Sequence, residues 1–274
     1  VTLRHHRNLA EYQEKPDGAG PVTVADREAD ALLREGLREA FPEDGLLTEE
    51  TPDDGAWRGR PRAWMADPLD GTKEFVAGRD EYACMVGLTR DGRPVLGVVF
   101  QPVTGTLFWG VEGEGAWVER EGRRTRLVVE GDVPEVVPVT VSRSHRSAPL
   151  EALVTSMGPV VEVPAGSVGL KVAMIAEGRV RAYVNATNHT SLWDTCAPQA
   201  ILQQAGGTLT DLFGRPLGHR GGVSHRHGLL AATAAVHAHL VARVSLAAHA
   251  VAAELARLPA YPRSAFVLPG EGEP

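Results

Sequence analysis

The apolar run Ala63-Trp64-Met65-Ala66 reads as a strand that ends abruptly in Asp67-Pro68-Leu69-Asp70-Gly71-Thr72. Proline fixes the turn and Gly71 permits close backbone approach. The two carboxylates, three residues apart, then converge on one side of the bend instead of alternating across a strand. Such a pair suits a hard divalent cation, because Mg²⁺ favours a few carboxylates, a carbonyl and retained waters. The following Thr72-Lys73-Glu74-Phe75 can open a helix whose free N–H groups face an anion. The competing reading is an acidic surface turn. Two further segments weigh against it: Thr48-Glu49-Glu50 also closes an apolar strand, and Leu192-Trp193-Asp194-Thr195 puts a carboxylate where a helix begins. Taken singly, each is structural, and Asp194 is a plain helix N-cap.

The chain has 274 residues, enough for one large α/β domain or two packed lobes. With 43% apolar and 23% charged residues, it has the composition of a globular chain with a sizeable core. The net charge of −7 argues against a broad electrostatic grip on nucleic acid or an anionic membrane. The acidity is local, since nineteen of the 35 acidic residues and only eleven of the 28 basic ones fall in the first 81 positions. Cys84 and Cys196 lack zinc-site spacing and read as buried thiols of a reducing cytoplasm. No basic segment precedes an apolar one at the start, and the longest uncharged stretch, 228–242, contains His237 and His239 and is too short to span a bilayer. A cytoplasmic location and no membrane partner are expected.

Along the chain, residues 1–20 read as a polar start ending in a loop, with His5 and His6 exposed and order beginning after it. Thr23 and Asp26 form a capping-box pattern for a helix that Pro42 stops. Strands are predicted at 45–48 and 63–66, followed by an antiparallel meander at 82–89, 95–100 and 106–111, which makes the first half α+β. The charged, poorly patterned segment 119–135 reads as a boundary. Alternating units follow: strands at 137–141, 160–163, 180–184, 208–211 and 228–232, with helices at 150–157, 168–177, 194–205 and 234–255. The predicted division is therefore an α+β lobe over 1–135 and an α/β lobe over 136–274, with a frayed tail after Leu268.

Glu49-Glu50, then Asp67-Pro68-Leu69-Asp70-Gly71-Thr72, then Trp193-Asp194, in this order and spacing, resemble the Mg²⁺-dependent, lithium-sensitive inositol monophosphatase superfamily. Four further stretches are most similar to its bacterial 3′(2′),5′-bisphosphate nucleotidases. They are Lys15-x-Asp17-Gly18 through Asp26, the extension to Lys73-Glu74-Phe75, Ser142-Arg143-Ser144-His145, and Leu170-Lys171 followed by Ala176-Glu177-Gly178. The resemblance implies a layered αβαβα sugar-phosphatase fold and a phosphomonoesterase using two or three Mg²⁺ ions per site. Asp67 would bridge two ions, Glu49 and the Leu69 carbonyl would complete the first, and Asp70 and Asp194 would hold the second. Two ions about 4 Å apart activate water on one side of phosphorus and stabilise the leaving oxygen on the other. Thr72, helped by Asp26, would orient that water, and the N–H groups of Gly71 and Thr72 would hold the phosphate being cleaved.

Arg143, His145 and Lys171 would contact the rest of the substrate. This implies a bisphosphate such as 3′-phosphoadenosine 5′-phosphate. Two departures weaken the implication. Gly166-Ser167-Val168-Gly169-Leu170-Lys171 carries one inserted residue, and Tyr183-Val184-Asn185 has Asn where the nucleotidases have Arg. A monophosphate of inositol, another sugar or histidinol is the alternative substrate. A phosphate-ligand sensor that keeps the fold without turnover is the non-enzyme alternative, and a homodimer is implied by the resemblance alone.

The remaining chemistry-bearing residues have plainer readings. His225 and His227 would form a metal pair only if a strand carried them, and a polar loop is expected. His237, His239 and His249 fall on the last helix, at its surface or against the sheet. Ser142, Ser144 and His145 lack the Gly-x-Ser-x-Gly turn of a nucleophilic hydrolase, and the five tryptophans are scattered rather than arranged for base stacking.

Overall fold

In the computed structural model, which describes residues 1–7, 12–15, 20–257 and 265–270, the acidic turn lies at the end of the second strand of a seven-stranded sheet. A short helix α1 (Thr2–His5) and a two-stranded ribbon, β1 (Gln13–Glu14) with β2 (Pro21–Val22), precede α2 (Val24–Ala40). The capping box of Thr23 and Asp26 that opens α2 is present as expected. Then come β3 (Gly45–Thr48), β4 (Arg62–Asp70), α3 (Thr72–Val76), β5 (Ala83–Arg90), β6 (Arg93–Gln101), β7 (Thr106–Val111), β8 (Gly115–Arg120) and β9 (Arg123–Leu127). Strands β3 to β9 are neighbours in sequence order, parallel for β3 and β4 and antiparallel thereafter.

The second half contributes β10 (Val137–Ser142), α4 (Ala148–Ser156), β11 (Val160–Ala165), α5 (Val168–Ala176), β12 (Ala182–Asn185), β13 (Thr190–Ser191), α6 (Leu192–Ala205), β14 (Gly207–Thr210), β15 (Ser224–His225), β16 (Leu229–Thr233) and α7 (Ala234–Leu255). Five of these strands form a mixed sheet in the order β11-β10-β12-β16-β14, while β13 and β15 pair separately. Helix α2 packs on β4, α5 and α6 lie between the two sheets, and α4 and α7 cover the far face of the second sheet. The result is a layered α/β fold. Leu150, Leu153, Val236, Leu240 and Val244 of the outer helices close on Val139, Val141 and Val184, which places the apolar stripe of α7 in the core. By length and composition alone α7 would also suffice to cross a membrane.

Three glycines decide how deep α6 sits. Gly87, Gly97 and Gly110 are aligned across β5, β6 and β7. A Cβ at these positions would lie 2.5 Å from Cys196 Sγ, 2.1 Å from the Ala197 carbonyl oxygen and 2.7 Å from Ile201 Cα. The helix therefore lies directly on strand backbone, and its first turn reaches the end of β4.

Several expectations are corrected. The segment read as poorly patterned contains the end of β8 and all of β9; Arg123, Arg124, Thr125 and Arg126 are exposed on this edge strand, so no apolar alternation marks it. Order does not begin after residue 20. His6, expected at the surface, has a side chain only 7% exposed, bonded to Asp80 at 2.9 Å and packed on Phe75 and Tyr82. His5 is bonded to Glu28 at 3.0 Å. His225, expected in a loop, is buried in β15. Residues 16–19 of the expected loop and 271–274 of the expected frayed tail lie outside the described residues.

Candidate active site

Strand β4 is buried from Ala63 to Asp70, and its register against β5 is interrupted between Asp67 and Asp70. That irregularity lets both carboxylates leave the sheet on one side. Asp67 Oδ1 accepts the Leu69 N–H at 2.8 Å, an Asx turn that stiffens the bend. Gly71 follows with φ of 98° and leads into α3; a Cβ there would meet the Glu81 carbonyl at 2.8 Å. Helix α6 brings the third carboxylate. Asp194 is not the N-cap expected of it: Ser191 caps α6, and Asp194, three residues on, accepts the Ser191 N–H on Oδ2 at 2.6 Å as the capping-box partner while also joining the cluster. Oxygen atoms of Asp67, Asp70 and Asp194 all lie within 4.8 Å of one another.

The cluster carries more negative charge than its surroundings balance. Burial, then the charges of Glu49, Asp70 and Asp194, push the Asp67 carboxyl well above the usual carboxylate range. Burial, then Glu49 and Asp70, does the same to Asp194. Glu49 is raised by burial although Lys15 opposes the shift, and hydrogen bonding links it to Asp67. Glu50 is pushed up to about 7 by burial and by Glu49. Lys15 Nζ donates to Glu49 at 2.7 Å and Glu50 at 2.8 Å, one cation for two acids. An all-oxygen donor set with uncompensated negative charge fits a hard divalent cation rather than a soft one.

The other expected site residues are placed as follows. Thr72 Oγ1 lies 3.1 Å from Asp26 Oδ1 and 3.1 Å from the Leu69 carbonyl. Asp26 is fully buried, and burial raises its pKa against the bonds from Thr23 and Thr72. Lys171 is 3% exposed, with its ammonium 5.1 Å from the Tyr183 ring centroid. Burial lowers its pKa, opposed by Asp70, Glu74, Asp194 and Glu81. His145 Nε2 is 2.8 Å from Lys73 Nζ and Nδ1 is 3.1 Å from Ser142 Oγ. Burial, with Lys73, Lys171 and His189 nearby, lowers the His145 pKa to about 4, so the ring is neutral near pH 7. The Ser142–His145 contact thus has Lys73, not a carboxylate, behind it. Arg143 spends its donors on Glu81, at 2.7 and 3.0 Å, and on the Pro164 carbonyl.

Sequence reasoning missed the groups that hold this frame. Ser167, with φ of 57°, caps α5 and donates its hydroxyl to Asp70, while Gly169 N–H donates to the same oxygen at 2.8 Å. The segment with the inserted residue, 166–171, is therefore the cap and first turn of α5, which grip Asp70. Asn185 gives its amide to Thr190 Oγ1 at 3.0 Å and accepts the Thr187 N–H at 2.9 Å. A positive φ at a serine leaves no mark in sequence spacing, and these partners are separated by tertiary structure.

Comparison with known proteins identifies the family. The model of the inositol monophosphatase family matches residues 2–250. The 3′(2′),5′-bisphosphate nucleotidase CysQ of Salmonella typhimurium is 39% identical over 210 residues, covering 76% of this chain and 82% of that protein. A histidinol-phosphatase of Mycobacterium tuberculosis is 34% identical over 221 residues, covering 79% and 83%. Among solved structures, CysQ from Bacteroides thetaiotaomicron superposes with a TM-score of 0.72 at 28% identity, over 85% of this chain and 92% of that one.

Proposed function

The chain belongs to the inositol monophosphatase family and is a phosphatase, and on that premise we propose that it is a Mg²⁺-dependent, lithium-sensitive 3′(2′),5′-bisphosphate nucleotidase that releases the 3′-phosphate of 3′-phosphoadenosine 5′-phosphate. The observation that carries the reading is the meeting of Asp67, Asp70 and Asp194 within 4.8 Å. Beside this cluster, Thr72 and Asp26 are in hydrogen-bond contact at 3.1 Å.

Asp67, Asp70, Asp194, Glu49 and the Leu69 carbonyl would hold the cations. When bound, Mg²⁺ supplies Lewis-acid stabilisation of phosphoryl oxygens and a lowered pKa for attacking water. The chain's own groups do the rest. Asp26 accepts a hydrogen bond from the Thr72 hydroxyl, which leaves the Thr72 oxygen's lone pairs for a water. The N–H groups of Gly71 and Thr72 hold the phosphate as its charge grows. Lys171 supplies a cation near the carboxylates and the neutral His145 ring can hydrogen-bond a ligand, and this favours a substrate with a second anionic group. Arg143 acts on that side by fixing Glu81 and the 164–166 backbone.

The proposed setting is a cytoplasmic homodimer without nucleic acid or membrane partners, with residues 1–135 and 136–274 as its two lobes. The test is phosphate release from 3′-phosphoadenosine 5′-phosphate, inositol 1-phosphate and histidinol phosphate, with Mg²⁺ and with or without Li⁺. The adenosine bisphosphate should have the highest kcat/KM, and Li⁺ should depress it; a higher value for either monophosphate assigns the chain to that substrate instead.

A further inference from the structure

Asp67 and Asp70 share one strand, whereas Asp194 comes from the first turn of α6, in the other half of the chain. Its place in the cluster therefore depends on how that turn is held. The next residue, Thr195, is fully buried. Its hydroxyl lies 3.0 Å from His219 Nε2 and 2.8 Å from His225 Nε2. The backbone carbonyls of Ser191 and Leu192, the partners a threonine in a helix would otherwise use, are farther away at 3.4 Å.

A hydroxyl has one proton to give and two lone pairs to offer, so Thr195 can serve both imidazole nitrogens at once. Both rings are neutral near pH 7: burial pushes His225 down to about 4, and burial with the neighbouring His225 takes His219 well below its usual value.

The histidines are themselves anchored to different parts of the fold. The backbone N–H of His219 donates to the Gly92 carbonyl at 3.0 Å, and Arg220 pairs with Asp91 at 2.9 Å, which ties this loop to the β5–β6 turn. His225 pairs with Thr190 in the β13–β15 ribbon, immediately before α6. The Thr195 hydroxyl is accordingly fixed by a loop docked on the first sheet and by the strand next to the helix start. Burying two imidazoles is costly unless their polar atoms find partners, and Thr195 provides one to each.

We propose that His219 and His225, acting through the Thr195 hydroxyl, are positioning residues that hold Asp194 in register with Asp67 and Asp70 for cation binding. The proposal rests on the metal-binding reading of that carboxylate cluster.

Titration calorimetry of the full chain with Mg²⁺, without substrate, tests it, with thermal unfolding in metal-free buffer recorded for each variant. Thr195→Val keeps the shape and removes the hydroxyl, and should weaken Mg²⁺ binding about tenfold, as loss of an outer partner typically does. Thr195→Ser restores the hydroxyl and should stay within about twofold of the unaltered chain. His225→Gln places an amide near the lost Nε2 and should fall between them; it takes the place of Thr195→Val if that protein does not fold. A lower melting temperature with an unchanged Mg²⁺ Kd overturns the positioning role. Asp194→Asn separates this failure from failure of the metal reading. If it binds Mg²⁺ like the unaltered chain, the cluster is not the cation site and both readings fall. If it loses affinity while Thr195→Val or its substitute does not, the positioning proposal alone fails.

Discussion

The Thr72 hydroxyl donates a hydrogen bond to Asp26 across 3.1 Å, joining the start of α3 to the first turn of α2. The two oxygens of Asp26 divide the work. Oδ2 receives the N–H and hydroxyl of Thr23 and closes the capping box, which leaves Oδ1 for Thr72. A helix cap thereby reaches into the site without a separate acidic residue.

This division predicts two separable losses in Asp26→Asn. The amide cannot accept on both sides as a carboxylate does, so kcat should fall by about a hundredfold or more, the range of a lost general base. Stability should fall by only about 1 kcal/mol, the usual worth of a cap. Steady-state kinetics and thermal unfolding measure the two. A near-normal kcat would remove Asp26 from the proposed chemistry.

The carboxylate cluster sets a pH dependence whose sign follows from its raised pKa values. In the metal-free protein, Asp67, Glu49 and Asp194 hold protons at pH values where the unfolded chain has released them. The folded state then binds more protons, and stability falls as pH rises above the ordinary carboxylate range. Compared with Asp67→Asn, in which the opposite contribution of the neutral His145, His219 and His225 is the same, the chelated protein should therefore lose more melting temperature between about pH 5 and about pH 8. Mg²⁺ should raise the melting temperature most at the higher pH, by about 2.7 kcal/mol of stabilisation at a hundred times Kd. The same pH dependence in chelator for Asp67→Asn and the unaltered chain would contradict the assigned electrostatics.

What was legible in the sequence was local. The Thr23–Asp26 cap, the bend from Asp67 to Thr72 and the 22-residue α7 all depend on neighbours within a turn or two of chain, and they stand where the pattern placed them. The members of the site that were missed are held by distant partners. Ser167 reaches Asp70 across 97 positions, and Thr195 meets His219 and His225 at separations of 24 and 30. His6 was misread for the same reason, because Phe75, Asp80 and Tyr82 bury it from far along the chain. Strand β9 was missed for a different one: an edge strand with arginines on both faces has no period-two contrast to detect.

Both cysteines should be inert in the folded protein. Burial pushes the Cys84 thiol up to about 11 and raises Cys196 further, so little thiolate exists near pH 7. Alkylation with iodoacetamide should label neither residue under native conditions and both in denaturant, as read by mass spectrometry. Rapid native labelling of Cys196 would mean that α6 lifts off the sheet.

The contact between α6 and the sheet predicts the cost of a single methyl group. At Gly97 a Cβ would stand 2.1 Å from the Ala197 carbonyl oxygen, which belongs to helix backbone and cannot rotate aside. At Gly87 the first obstacle is the Cys196 sulfur at 2.5 Å, a side-chain atom that can be removed. Gly97→Ala should therefore destabilise the protein by about 1–3 kcal/mol, the usual range for overpacking. Gly87→Ala should recover part of its loss when combined with Cys196→Ala, and no side-chain change in α6 should rescue Gly97→Ala. Denaturant unfolding of Gly87→Ala and Gly97→Ala, each alone and combined with Cys196→Ala, decides it, and equal, additive losses at the two glycines would show that α6 has more freedom over the sheet than its backbone contact implies.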